Sequence, residues 1–187
     1  MLIMFDTQLT QLLKRTNFKL SADQLFESIE QIYPIGTIVD KEPILEGYED
    51  ANIILSTEMR KYVLKVFSLE RTFENIQSYI QVLGEATKIG VPVPKLIEGE
   101  SGPLSAVKSG DGQFTYCILT DFFEGVNFQE IVPTINDINR VTEYISSLNK
   151  LEFPVVECYD SWGNKNLVAE FDKHKKLLSG EVCLRVE

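Results

Sequence analysis

The sequence predicts an α+β protein: an antiparallel sheet of about five strands, one helix inserted after the third strand, and helical segments before and after. Three observations predict it. Ala51–Ser56 and Lys61–Phe67 are β-branched and aromatic runs flanking the polar turn Thr57-Glu58-Met59-Arg60, which reads as a hairpin. Phe73, Ile76, Ile80 and Leu83 step by three, four and three, which places one apolar stripe on a helix over 72–89. Two turn clusters, 99–102 and 109–112, bracket Leu104–Lys108 and separate it from Phe114–Thr120, giving a second strand pair.

The chain in order supports the same layout. Leu9–Lys14 is a short helix. Ser21–Ile32 is a second, opened by a Ser21/Gln24 capping-box pattern, carrying Leu25, Ile29 and Ile32 at helical spacing and closed by Tyr33-Pro34. Gly36–Leu45 is the first strand, followed by the acidic loop 46–50. Gly90 and Pro92 end the inserted helix, and Val93–Glu98 is extended. Beyond Gly125 the pattern is helical: Ile138, Val141, Ile145, Leu148 and Leu151 between Pro133 and Pro154, then a last helix from Asn164 to Leu178. His174 falls on that helix's apolar stripe, and a packed histidine is the expectation. The domain boundaries follow: a helical extension over 1–35, the sheet domain over 36–125, which the chain leaves at 121–125, and a helical segment over 126–187.

Composition bounds the partners. The 187 residues are 44% hydrophobic and 25% charged, ordinary for a globular protein. The formal net charge of −10 argues against nucleic acid and anionic membrane surfaces, whose phosphates need a basic footprint. No run approaches the roughly 20 apolar residues of a membrane span, and the apolar start MLIMF lacks a basic n-region. Cys117, Cys158 and Cys183 are odd in number and widely spaced, so reduced thiols in a cytoplasmic protein are the expectation.

One residue stands out. Side chains alternate along a strand, so Lys61, Val63, Lys65 and Phe67 share a face. Lys65 lies between Val63 and Phe67 on that face and between Leu64 and Val66 along the chain. An unpaired ammonium in such surroundings is costly, so Lys65 is expected to have an anionic partner.

These stretches resemble a known family. GYEDANIILSTEMRKYVLKVF (47–67), GVPVPKL (90–96), YCILTDFFEG (116–125) and ISSLNKL (145–151) are similar, in the same order, to segments of the aminoglycoside phosphotransferase and choline kinase-like superfamily. The similarity is greatest to its homoserine kinase and methylthioribose kinase branch. Asn149 stands where the family's L-H-x-L pattern has histidine. The resemblance implies a protein kinase-like small lobe, an interlobe hinge at 120–125, then the first helices of a large lobe. It implies that the loop with Gly47 and Tyr48 covers the phosphates of ATP, and that Lys65 contacts them, held by Glu74 of the inserted helix, with Glu85 the lesser candidate. It further implies Val63 as the roof over adenine, Thr120 at the back of the pocket, and the Asp121 carbonyl and Phe123 amide as the adenine contacts. Read without the family, 46–50 is an acidic hairpin loop, Glu74 a solvated first-turn acid, and Phe122 and Phe123 core aromatics at a strand end. Glu46, Glu49 and Asp50 would repel phosphate unless they point away.

The family's H-G-D-x-x-x-x-N stretch, with its catalytic Asp and magnesium-binding Asn, is not found in these residues. No catalytic residue and no metal ligand is therefore assigned, and magnesium is expected only in a complete enzyme. The expectation is the nucleotide-binding part of an ATP-dependent kinase of small hydroxylated metabolites, truncated before its catalytic loop and inactive alone. The alternative is a non-catalytic binding or regulatory module built on a kinase small lobe. A missing large lobe would leave apolar surface after Pro133 open to self-association, or leave the chain after about residue 150 locally disordered.

Overall fold

The computed structural model describes residues 2–18, 20–47, 49–108, 112–154, 156 and 166–174, with the side chains of 2–6 and 174 left aside. The expected packing of His174, the expected disorder and the site position Tyr48 thus lie wholly or largely outside the described residues. The chain divides into two units, residues 1–155 and 156–187. In the second, the described element is a helix, Leu167–His174 (α5), within the expected 164–178.

The first unit opens with α1 (Leu2–Arg15) and α2 (Ala22–Ile32). Helix α1 begins well before the expected Leu9: no glycine or proline interrupts the chain before Pro34. The break between the two helices comes instead from Asn17, at φ +60°, and from Ser21. The Ser21 hydroxyl accepts the Gln24 N–H while the Gln24 side chain reaches back to the Ser21 N–H, the expected capping box.

Strands β1 (Ile38–Ile44), β2 (Ala51–Thr57), β3 (Lys61–Val66), β4 (Leu104–Lys108) and β5 (Phe114–Asp121) form one antiparallel sheet in the order β1-β2-β3-β5-β4. Helix α3 (Phe73–Lys88) enters between β3 and β4, capped by the Thr72 hydroxyl on Asn75 N–H and stopped beyond Ile89 by Gly90 at φ +77°. The sheet is covered on both faces, and strand alternation decides which residues go where. Tyr62, Leu64 and Val66 of β3 join Ile53, Leu55, Cys117 and Leu119 in the main core against Leu12, Leu25 and Ile29 of α1 and α2. Ile118 and Phe67 point the other way and pack on Ile76, Ile80 and Leu83 of α3. Tyr33, 1% exposed, ties α2 to β4: its hydroxyl donates to the Pro103 carbonyl at 3.1 Å and accepts from Ser105 Oγ at 2.9 Å.

After the sheet, α4 (Ile135–Leu148) is capped by Thr134 and Asp137 in a second capping box. None of its residues is buried, and Ile135, Ile138, Val141 and Ile145 are exposed.

Candidate functional site

The β2–β3 hairpin sets the site. Its register places Asn52 opposite Lys65 and Ile54 opposite Val63. Two residues before Asn52 is the same face again, so Asp50 lies diagonally beside Lys65. Lys65 Nζ donates to Asp50 Oδ2 at 3.2 Å, with the lysine side chain 17% exposed and the aspartate 7%. The other Asp50 oxygen accepts the Ser68 N–H at 3.1 Å and Arg71 Nε at 2.8 Å. Arg71 also reaches Glu49, Nη2 to Oε2 at 2.8 Å. Two acids of the loop are thus tied to β3 and to the residue before the α3 cap. Burial opposes ionisation of Asp50 and is the largest single influence on it. The Arg71 hydrogen bond, the Lys65 charge and the Ser68 N–H together outweigh burial and hold the carboxyl below its ordinary value.

Rings close the Lys65 surroundings. The Tyr79 ring of α3 stands 5.6 Å from Nζ and the Phe67 ring 5.9 Å, and the two rings meet edge to face at 5.7 Å. Burial, then the nearby Asp50 charge, raises the Tyr79 pKa.

The expected partner of Lys65, Glu74, requires correction. Glu74 is exposed, and Lys65 takes its carboxylate from the loop before β2. The helix period explains it: at about 100° per residue, Glu74 is roughly 160° around α3 from the inward Ile76. Glu85 pairs with Lys88 at 2.7 Å.

The loop conformation depends on Gly47. Its φ of +102° is one that L side chains rarely adopt, and its carbonyl accepts from Arg15 Nη1 of α1. At the opposite end of β3, Val63 is paired with Thr120, whose hydroxyl lies 3.5 Å from the Val63 carbonyl. Val63 and Lys65 are two residues apart, about 7 Å along one face. Asp121 closes β5 and is fixed by the segment after α3. Its N–H donates to the Lys95 carbonyl at 3.0 Å, and its carboxylate accepts the Lys95 N–H at 2.6 Å. Phe122 lies under Lys61 Nζ, 5.6 Å from the ring centroid, and Phe123 is half exposed. Lys65, Val63 and Thr120 therefore share one face of adjacent strands. Gly47 belongs to the loop at the Lys65 end, and Asp121 and Phe123 leave the sheet at the Val63 end.

Residues 40–128 match the phosphotransferase enzyme family, APH. Over that lobe the chain resembles the aminoglycoside phosphotransferase superfamily. It is 21% identical over 136 residues to a homoserine kinase of Mesorhizobium japonicum, covering 70% of this chain and 41% of that protein. With a homoserine kinase of Burkholderia thailandensis it shares 33% identity over 72 residues, 38% of this chain and 22% of the other. The solved structure of a microcompartment-associated aminopropanol kinase is 17% identical, covers 74% of this chain and 44% of its own, and superposes with a TM-score of 0.54, which shows a common fold. The chain spans less than half the length of these phosphotransferase relatives. Its sheet lobe is small-molecule kinase-like.

Asp50 and Arg71 are the residues that sequence reasoning did not place beside Lys65. Asp50 was legible: the hairpin turn already puts it on the Lys65 face. Arg71 carries no comparable signal, because it lies outside any strand or helix period.

Proposed function

We propose that residues 36–125 are the nucleotide-binding small lobe of an ATP-dependent kinase that phosphorylates an alcohol group of a small metabolite. Residues 1–35 form its helical extension and 126–187 the start of a large lobe. The observation that carries this reading is the half-buried Lys65, set on one sheet face about 7 Å from the Val63–Thr120 pair, with the Gly47 loop at one end and the 120–125 hinge at the other. That spacing runs in the order a nucleotide needs. Phosphates would meet Lys65 and the Gly47 loop, adenine would lie under Val63 with Thr120 behind it, and its edge would reach the Asp121 carbonyl and Phe123 amide. Asp50 holds the Lys65 amine in place, the duty the family resemblance assigns to Glu74.

Phosphoryl transfer also requires magnesium and a group to orient the acceptor hydroxyl. No magnesium ligand is assigned to these residues, because the family's H-G-D-x-x-x-x-N stretch is not found in them. On this reading the 187 residues alone bind nucleotide without turning it over. Acceptor contacts belong to the large lobe, and α4, with no buried residue, is the surface that would otherwise mediate self-association.

The test is an amide chemical-shift titration with ATP. Shifts at Val63, Lys65, Thr120 and Phe123, weakened in Lys65→Ala, are expected. Shifts confined to the first 35 residues would refute the reading. Incubation with MgATP and homoserine, amino alcohols or amino sugars should release no acceptor-dependent ADP. Turnover abolished by Lys65→Ala would show instead that these residues hold a complete catalytic set. ATP binding without turnover, retained by a longer chain, would favour the non-catalytic module.

A further inference from the structure

We propose that Arg71 is a positioning residue for the nucleotide's phosphates. Its guanidinium pairs with both Glu49 and Asp50 and offsets one of their two negative charges, so that together with Lys65 the group is net neutral where a polyphosphate would lie. The inference rests on the nucleotide reading above.

The loop beside Lys65 carries three acids, Glu46, Glu49 and Asp50, in the place where a polyanion would lie. By sequence alone that loop repels phosphate. The structure sets one positive side chain against two of the three acids. Arg71 Nε takes Asp50 Oδ1 and Arg71 Nη2 takes Glu49 Oε2, each at 2.8 Å. Lys65, Arg71, Asp50 and Glu49 then form a set of two cations and two anions. Without Arg71 the set is anionic, and the Lys65 charge is fully spent on Asp50.

The residue type suits the task. A planar guanidinium presents donors in a fixed fork and spans two carboxylates at once, whereas an ammonium is a point charge. Arg71 is itself anchored, one residue before the Thr72 cap of α3, and its N–H donates to the Ser68 carbonyl at 3.0 Å. The same Ser68 gives its own N–H to Asp50. Acid, cation and helix start are thus held in one short turn, and the charges of Glu49 and Asp50 are matched by Lys65 and Arg71 before any ligand arrives.

A staple that merely holds the loop would affect all ligands alike. A charge-balancing residue affects them in proportion to their phosphates. The experiment measures the affinity of the wild-type chain for adenosine, AMP, ADP and ATP at low ionic strength, then repeats the series with Arg71→Gln, Glu49→Gln and the double variant. Wild-type affinity should rise with phosphate number. Arg71→Gln should weaken ATP about tenfold and adenosine less than about twofold. Glu49→Gln should tighten ATP, and the double variant should recover most of the Arg71→Gln loss. Equal losses across the series, or no recovery in the double variant, would overturn the inference and leave nucleotide binding intact. Should Arg71→Gln fail to fold, Glu49→Gln decides alone: its side chain is 46% exposed, and an unchanged ATP-to-adenosine ratio overturns the proposal. A wild-type chain that binds none of the four overturns the nucleotide reading, and this inference with it.

Discussion

Replacing Asp50 tests the site most directly. Asp50→Ala removes an acceptor from three donors at once: Lys65 Nζ, Arg71 Nε and the Ser68 N–H. Breaking a buried charge pair by deleting one partner costs about 3–5 kcal/mol. Lys65 and Arg71 keep side-chain exposures of 17% and 23%, and Arg71 keeps Glu49, so water and the second acid recover part of that. The expected loss is about 2–3 kcal/mol, a fall of roughly 5–10 °C in melting temperature for a unit of this size. Asp50→Asn retains an acceptor for Ser68 and Arg71 but loses the charge and turns a donor toward Lys65, about 1–3 kcal/mol. The pH dependence separates charge from packing. The folded-state pKa of Asp50 is depressed, so its contribution is present above the unfolded value of about 4 and is lost as pH falls through the folded value. Urea unfolding of wild type and Asp50→Asn should therefore show a constant gap between about pH 5 and 7 that closes below about pH 4. An Asp50→Ala variant within about 0.5 kcal/mol of wild type, or a gap that persists unchanged at low pH, would refute the account of Lys65 as held by this carboxylate.

Other expected outcomes are simpler. Glu74→Ala should leave stability within about 0.5 kcal/mol and nucleotide shifts unchanged; a loss like that of Asp50→Ala would return Glu74 to the site. Ser21→Ala should cost about 1 kcal/mol through the α2 cap, seen as a lower melting temperature. Burial pushes the Cys117 thiol up to about 12, so at pH 8 it should resist alkylation until the protein is unfolded, as peptide mass spectrometry would report. Sedimentation should show concentration-dependent association through α4, suppressed by Ile138→Glu with Ile145→Glu; an unchanged profile in that variant would remove α4 from the contact.

The sheet was legible because its signals are local. The hairpin turn, the stripe of α3 and the turn clusters around β4 each determine an element from its own residues, and every expected strand is present. The Lys65 environment was legible only in part. Alternation correctly set Lys65 among apolar neighbours and demanded an anion, but alternation along one strand cannot say which neighbour supplies it. Expecting the acid from a helix, on the strength of a resemblance, overrode the hairpin register, which puts Asp50 across from Phe67 and beside Lys65. The fork from Arg71 to two acids is a tertiary arrangement between a loop and the start of a helix, and no periodicity records it. The N-terminal helix was underestimated for the opposite reason, since an absence of breakers is a weaker signal than a cap.

The Tyr33 hydroxyl, bonded to Pro103 and Ser105, has a consequence for how the chain can be made. Its partner in β4 lies 72 residues later in the sequence. At synthesis rates of about 5–20 residues per second, α2 waits on the order of 4–14 seconds for the strand that locks it. Through that interval Leu25, Phe26 and Ile29, fully enclosed in the finished protein, have no completed sheet to cover them. Strand β4 joins the sheet only through β5, so this joint also awaits residues 114–121. Shortening the N-terminus would remove not an appendage but the piece that has been waiting for the sheet.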